Sequence, residues 1–184
     1  MKNKEKLAIA AIYAVLAAIV RTTFQNEMLD IAFANAVLLI AVESSGLGYG
    51  IAVALAAEVL AKLVGVQPYW IAVPFAALGN VAMLASWQFI SRYDLGSKFA
   101  SRVFAIVPSS ICKCLALLLG AGILWLAGAL SLSWDQLLVE LMAGFLGGAI
   151  MACIYTVATR KSAKYKKGAK KSAKLPAGHK PGAK

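Results

Sequence analysis

Histidine appears once in this 184-residue chain, at His179, and aspartate and glutamate together number only eight. That scarcity leaves little from which to build an acid–base or nucleophilic centre. Asp30, Asp94 and Asp135 fall in or beside loops, and His179 sits in a terminal tail. No paired aspartates, Ser/His dyad or metal-ligand set therefore converges. A Gly-rich phosphate loop is also missing, so the chain is not expected to hydrolyse ATP itself. No catalytic residue, metal ligand or cofactor is assigned. The three cysteines, Cys112, Cys114 and Cys153, lie inside apolar segments, and their odd number gives no disulfide framework. Cys112 and Cys114, two apart on a helix, face roughly opposite ways and cannot act as a metal pair.

What the chain has instead is apolar sequence. Hydrophobic residues make up 61% and charged residues only 15%, with a mean hydropathy of +0.75. A soluble domain of this length could not keep so much apolar surface out of water, whereas a bilayer needs about 20 predominantly apolar residues per spanning helix. Six such stretches alternate with charge: 7–24, 31–42, 47–64, 70–90, 102–130 and 136–158. Backbone groups in hydrocarbon must bond within their own segment, which selects helices over open strands. Period-2 alternation is absent, which argues against a barrel. The expected fold is an all-α integral membrane protein, a bundle of six transmembrane helices over residues 1–159. Residues 160–184 follow as a disordered basic tail. Met1 to Lys6 looks like a signal-peptide n-region, but no small-residue cleavage site follows, so the first helix is expected to be retained.

Basic residues near the span ends set the orientation. Lys2, Lys4 and Lys6 precede the first span, Arg92, Lys98 and Arg102 lie between the fourth and fifth, and the tail follows the sixth. With six spans all three groups share one side, so both termini are expected in the cytoplasm. The stretch 160–184 holds ten of the basic residues and no acid. Because it follows a membrane span, anionic lipid headgroups rather than nucleic acid are its expected partner.

Charged residues at membrane depth are rare and usually functional. Glu58 and Lys113 fall deep in the third and fifth spans and Asn80 near the middle of the fourth. Asn35 and Glu140 lie about one turn inside the second and sixth. Tyr69, Trp70 and Trp134 stand at the outer loops. One reading pairs Lys113 with Glu58 or Glu140 in a structural salt bridge, with Asn35 and Asn80 bonding between helices. The other makes these eight residues the lining of an outward-facing polar cavity for a small polar molecule. In the first span, Ala10, Ala14 and Ala18 recur every four residues and form a small-residue stripe. It suits close helix packing, either inside the chain or against a partner membrane subunit.

In this combination the chain resembles the substrate-binding subunits, or S components, of energy-coupling factor vitamin transporters. The resemblance covers residues 7–158. It is carried by the six spans, the Ala10/Ala14/Ala18 stripe and Asn35-Ala36-Val37-Leu38-Leu39. Gln67-Pro68-Tyr69 with Pro74, and Ala77-Leu78-Gly79-Asn80, complete it. It implies a prokaryotic plasma membrane location, a vitamin-like substrate, and partners comprising a transmembrane coupling subunit and two ATPases. The alanine stripe would then meet the coupling subunit, the loop from Arg21 to Asp30 would act as a lid, and the loaded subunit would topple to deliver its ligand. Lys113 would favour a ligand bearing a carboxylate or phosphate unless an acid already pairs with it. A membrane scaffold and a self-sufficient small carrier are the alternatives; a carrier would often show an inverted repeat, and none is evident.

Overall fold

Each apolar run becomes an α-helix, because a backbone removed from water must satisfy its own hydrogen bonds. The structure, a computed structural model, describes residues 3–24, 26–65, 70–93, 95–128 and 134–172. Among them are six α-helices and no strand: α1 Asn3–Val20, α2 Glu27–Ser45, α3 Leu47–Leu63, α4 Val73–Ile90, α5 Lys98–Leu126 and α6 Trp134–Ser172. A 3₁₀ turn, Trp70–Ala72, leads into α4. Four helices are long and apolar enough to cross a membrane: α2, α4, α5 and the Asp135–Ala158 part of α6. The other two are more modest. α1 spends its first turn on Lys4, Glu5 and Lys6, and α3 has 17 residues that include Glu58 and Lys62.

Helix ends are set by caps rather than by hydropathy. The Asn26 side chain accepts from Leu29 N at 3.2 Å and the Ser97 hydroxyl from Ala100 N at 3.0 Å. Each satisfies an otherwise orphaned donor. α2 and α5 therefore begin at Glu27 and Lys98, a turn before the apolar runs that start near Ile31 and Arg102. Between α2 and α3 the chain turns on Gly46 alone, whose φ of 93° and ψ of 167° are accessible essentially only to glycine. The last helix, α6, runs past its apolar part to Ser172, where the Lys- and Ala-rich sequence is built mostly from strong helix formers. Residues 173–184 lie outside the described part.

The chain divides into two units, residues 1–152 and 153–184. Within the first, α2 is the most enclosed helix. It packs against α1, α3 and α4, and Ile31 and Ala32 meet Ala143 of α6. More than half of the buried hydrophobic residues are alanines, while Ile12, Phe104, Leu119 and Leu138 are exposed. Small residues inside and large apolar ones outside suit helices that associate by close fit within lipid. The same logic brings α6 in: a Cβ at Gly147 would sit 2.5 Å from Ala32 O and 2.8 Å from Asn35 Cβ. Gly144 and Gly148 lie similarly close to Ser110 and Ile106 of α5.

Candidate functional site

Six polar side chains, one from each helical segment, meet in the half of the first unit that holds the α1–α2 turn. They form two sets of three. In the first, Arg21, just past α1, forks onto Glu58 of α3: Nη1 donates to Oε2 at 3.0 Å and Nη2 lies 2.9 Å from Oε1. Asn80 of α4 donates from Nδ2 to Glu58 Oε1 at 2.7 Å. In the second set, Lys113 of α5 donates from Nζ to Asn35 Oδ1 of α2 at 2.9 Å. The same ammonium lies 2.7 Å from Glu140 Oε2 of α6, an ion pair rather than an aligned hydrogen bond. Asn35, Glu58, Asn80 and Lys113 are all at most 1% exposed.

Local sequence explains why these groups arrive together. Asn35 and Glu140 each lie about 10 Å inside a helix end, at 1.5 Å per residue. Gly147 lets α6 settle directly on the α2 turn that carries Asn35. Gly79, beside Asn80, lets α4 settle on α5: a Cβ there would lie 3.0 Å from Leu117 Cγ, with the Lys113 stem in ordinary contact at 3.6 Å. Arg21 is held by a tied turn. Phe24 N donates to Asp30 Oδ1 at 2.8 Å, and the Phe24 and Phe33 rings stack at 4.9 Å. Residues 27–30 of the expected lid loop are already the first turn of α2.

Two charges of each sign thus face each other. Three buried atoms have no hydrogen-bond partner among the described residues: Asn35 Nδ2, Asn80 Oδ1 and Glu140 Oε2, the last held by its ion pair with Lys113 alone. Neither amide gains by flipping, for Asn35 must turn its oxygen to an ammonium and Asn80 its nitrogen to a carboxylate. Most buried polar atoms in folded proteins are satisfied, so each exception asks for an explanation.

No family model, curated protein or solved structure matches this chain. Of the eight residues expected to line a cavity, Asn35, Glu58, Asn80, Lys113 and Glu140 are drawn together in these two sets. Tyr69 lies outside the described residues, as do the side chains of Trp70 and Trp134. Lys113 takes Glu140 as its ionic partner, which removes the ground for expecting an anionic ligand. Ala10, Ala14 and Ala18 are buried within the chain, on the helix that packs against α2 and α3. In this structure the stripe serves internal packing.

Sequence reasoning passed over Arg21 and a second polar cluster at the opposite end of the helices. There Arg102 of α5 grips Glu43 of α2 through Nη2–Oε2 at 2.8 Å and Nε–Oε1 at 3.2 Å. The fully buried Trp87 of α4 donates from Nε1 to the same carboxylate at 3.2 Å. The signal for both was a charge within a turn of an apolar run, which looks identical to a topology marker.

Proposed function

We propose that this chain is the membrane-embedded binding subunit of an importer of the energy-coupling factor type. In this reading it spans the plasma membrane of a prokaryote six times with both ends in the cytoplasm. It captures a vitamin-like small molecule from outside and passes it to a transmembrane coupling subunit driven by two ATPases. One observation carries the reading: a buried polar network draws in a residue from every helical segment, yet leaves an amide donor and an amide acceptor unfilled. A protein whose only task was to cohere in lipid would gain by closing those valences, since an unsatisfied buried polar atom costs about 1–3 kcal/mol. The placement of basic residues supports the orientation: the network then lies toward the outer face, and Lys4, Lys6, Arg92, Lys98 and Arg102 toward the inner one.

The test is purification of the full chain from its native membrane, followed by mass spectrometry of what leaves it on denaturation. A stoichiometric small molecule, whose cellular uptake stops when the coupling ATPases are deleted, is the expected result. A scaffold is favoured by the closure of both ion pairs, and it would yield no such molecule and no uptake phenotype.

A further inference from the structure

The geometry points to an uncharged, amide-type ligand for this site: a small molecule whose carbonyl oxygen accepts from Asn35 Nδ2 and whose N–H donates to Asn80 Oδ1, as the lactam edge of a nitrogen heterocycle does. The inference rests on the binding-subunit reading and names its substrate class.

Charge is the first argument. Arg21 is forked onto Glu58, and the Lys113 ammonium is held between Asn35 Oδ1 and Glu140. These two cations and two carboxylates cancel. A ligand carboxylate or ammonium entering here would meet no unmatched counter-charge, and an uncompensated ion in a water-poor interior is strongly disfavoured. The open valences are the second argument. The charged partners fix which end of each amide is spoken for, leaving a nitrogen donor on Asn35 and an oxygen acceptor on Asn80. A ligand that fills both offers an acceptor to Asn35 and a donor to Asn80, the two functions an amide carries. Proximity is the third: Gly79 packs against the stem of Lys113, which itself holds Asn35, so the α4 turn bearing Asn80 and the Asn35 amide share Lys113 as a neighbour. Sites that hydrogen-bond a ligand's polar group reject analogues that leave those groups unpaired, and the discrimination is large.

Thermal unfolding of the full chain in lipid nanodiscs, with matched probes, decides the matter. The neutral probes are 2-pyridone and uracil; their carboxylated counterparts are 6-hydroxynicotinate and orotate. At millimolar concentration the neutral members should raise Tm and the acids should not. Asn35→Asp keeps an oxygen for Lys113 but removes the donor, and should weaken 2-pyridone binding by about ten-fold or more. If that variant does not fold, Asn80→Ala, which removes the acceptor, reads the other amide in the same way. Acids that stabilise as well as their neutral partners overturn the proposal, as does a neutral set that leaves Tm unmoved or binding indifferent to both substitutions. Water alone would then occupy the two amides. The native small molecule separates the two readings: if it is an acid, only the lactam assignment falls, and if there is none, the binding-subunit reading falls.

Discussion

Glu58 holds Arg21 and Asn80 in place at once, and its removal is the most direct probe of the network. It is 1% exposed and accepts from both Arg21 and Asn80. Glu58→Leu would strand a guanidinium and an amide nitrogen. Breaking a buried pair from one side costs about 3–5 kcal/mol, while replacing both partners by apolar groups is often neutral. Because Arg21 is 10% exposed and can turn outward, about 3 kcal/mol is the expected loss for Glu58→Leu. Arg21→Met with Glu58→Leu should recover the guanidinium's share and leave only the cost of the stranded Asn80 amide. Equal melting temperatures for the single variant and the parent would show that the pair does not hold α1 to α3. Single residues were the most legible part of the sequence here. Asn35, Glu58, Asn80, Lys113 and Glu140 stand out as polar letters in apolar runs, and the structure brings all five together. Their pairing was not legible. Lys113 faced a choice between Glu58 and Glu140 that depends on how each helix is rotated, and helices apolar on every side carry little periodicity to fix rotation.

At the scale of the helix, α6 depends on what it lacks. A Cβ at Gly147 would meet the backbone oxygen of Ala32 at 2.5 Å, and backbone cannot swing aside as a side-chain tip can. Gly147→Ala should therefore lower stability by about 1–3 kcal/mol through overpacking. It should also move Asn35 away from Lys113. Gly122 in α5 is the control, with nothing within 4 Å of its Cβ position. Gly122→Ala should be neutral or gain up to about 1 kcal/mol from helix propensity. Thermal melts that rank the two variants the other way would contradict the close approach of α6 to α2. Ala14→Leu belongs with Gly147→Ala. Ala14 is buried at 4%, so leucine there should destabilise the isolated chain by about 1–3 kcal/mol, before any partner is present. A variant as stable as the parent that nonetheless loses transport would return the stripe to a docking role. The number and order of helices were readable from hydropathy, but their ends were not. Asn26 and Ser97 carry α2 and α5 through a polar first turn that hydropathy reads as loop, and lysine and alanine carry α6 past its apolar part.

For the whole molecule, orientation is the property that the proposed function cannot do without. Short connections make successive helices antiparallel neighbours. On the six-span reading, the turn after α1 lies outside with Arg21, and the α4–α5 connection lies inside with Arg92 and Lys98. Arg102 is a weaker topology marker than its charge implies, because Glu43 already neutralises it. The bias then rests on Lys4, Lys6, Arg92, Lys98 and the run from Arg160 onward. Two exposed positions report on it, Thr23 beside Arg21 and Leu95 beside the α5 cap. In a background with Cys112, Cys114 and Cys153 replaced, Thr23→Cys should react with a membrane-impermeant thiol reagent on intact cells. Leu95→Cys should react only after permeabilisation. The opposite pattern would turn the amide site toward the cytoplasm, where a subunit that captures its ligand outside could not use it. Labelling of both from one side would mean an even number of crossings between them. That would leave α1–α4 unable to hold Arg21, Glu58 and Asn80 at the outer face while the two charge clusters occupy opposite ends of the same helices.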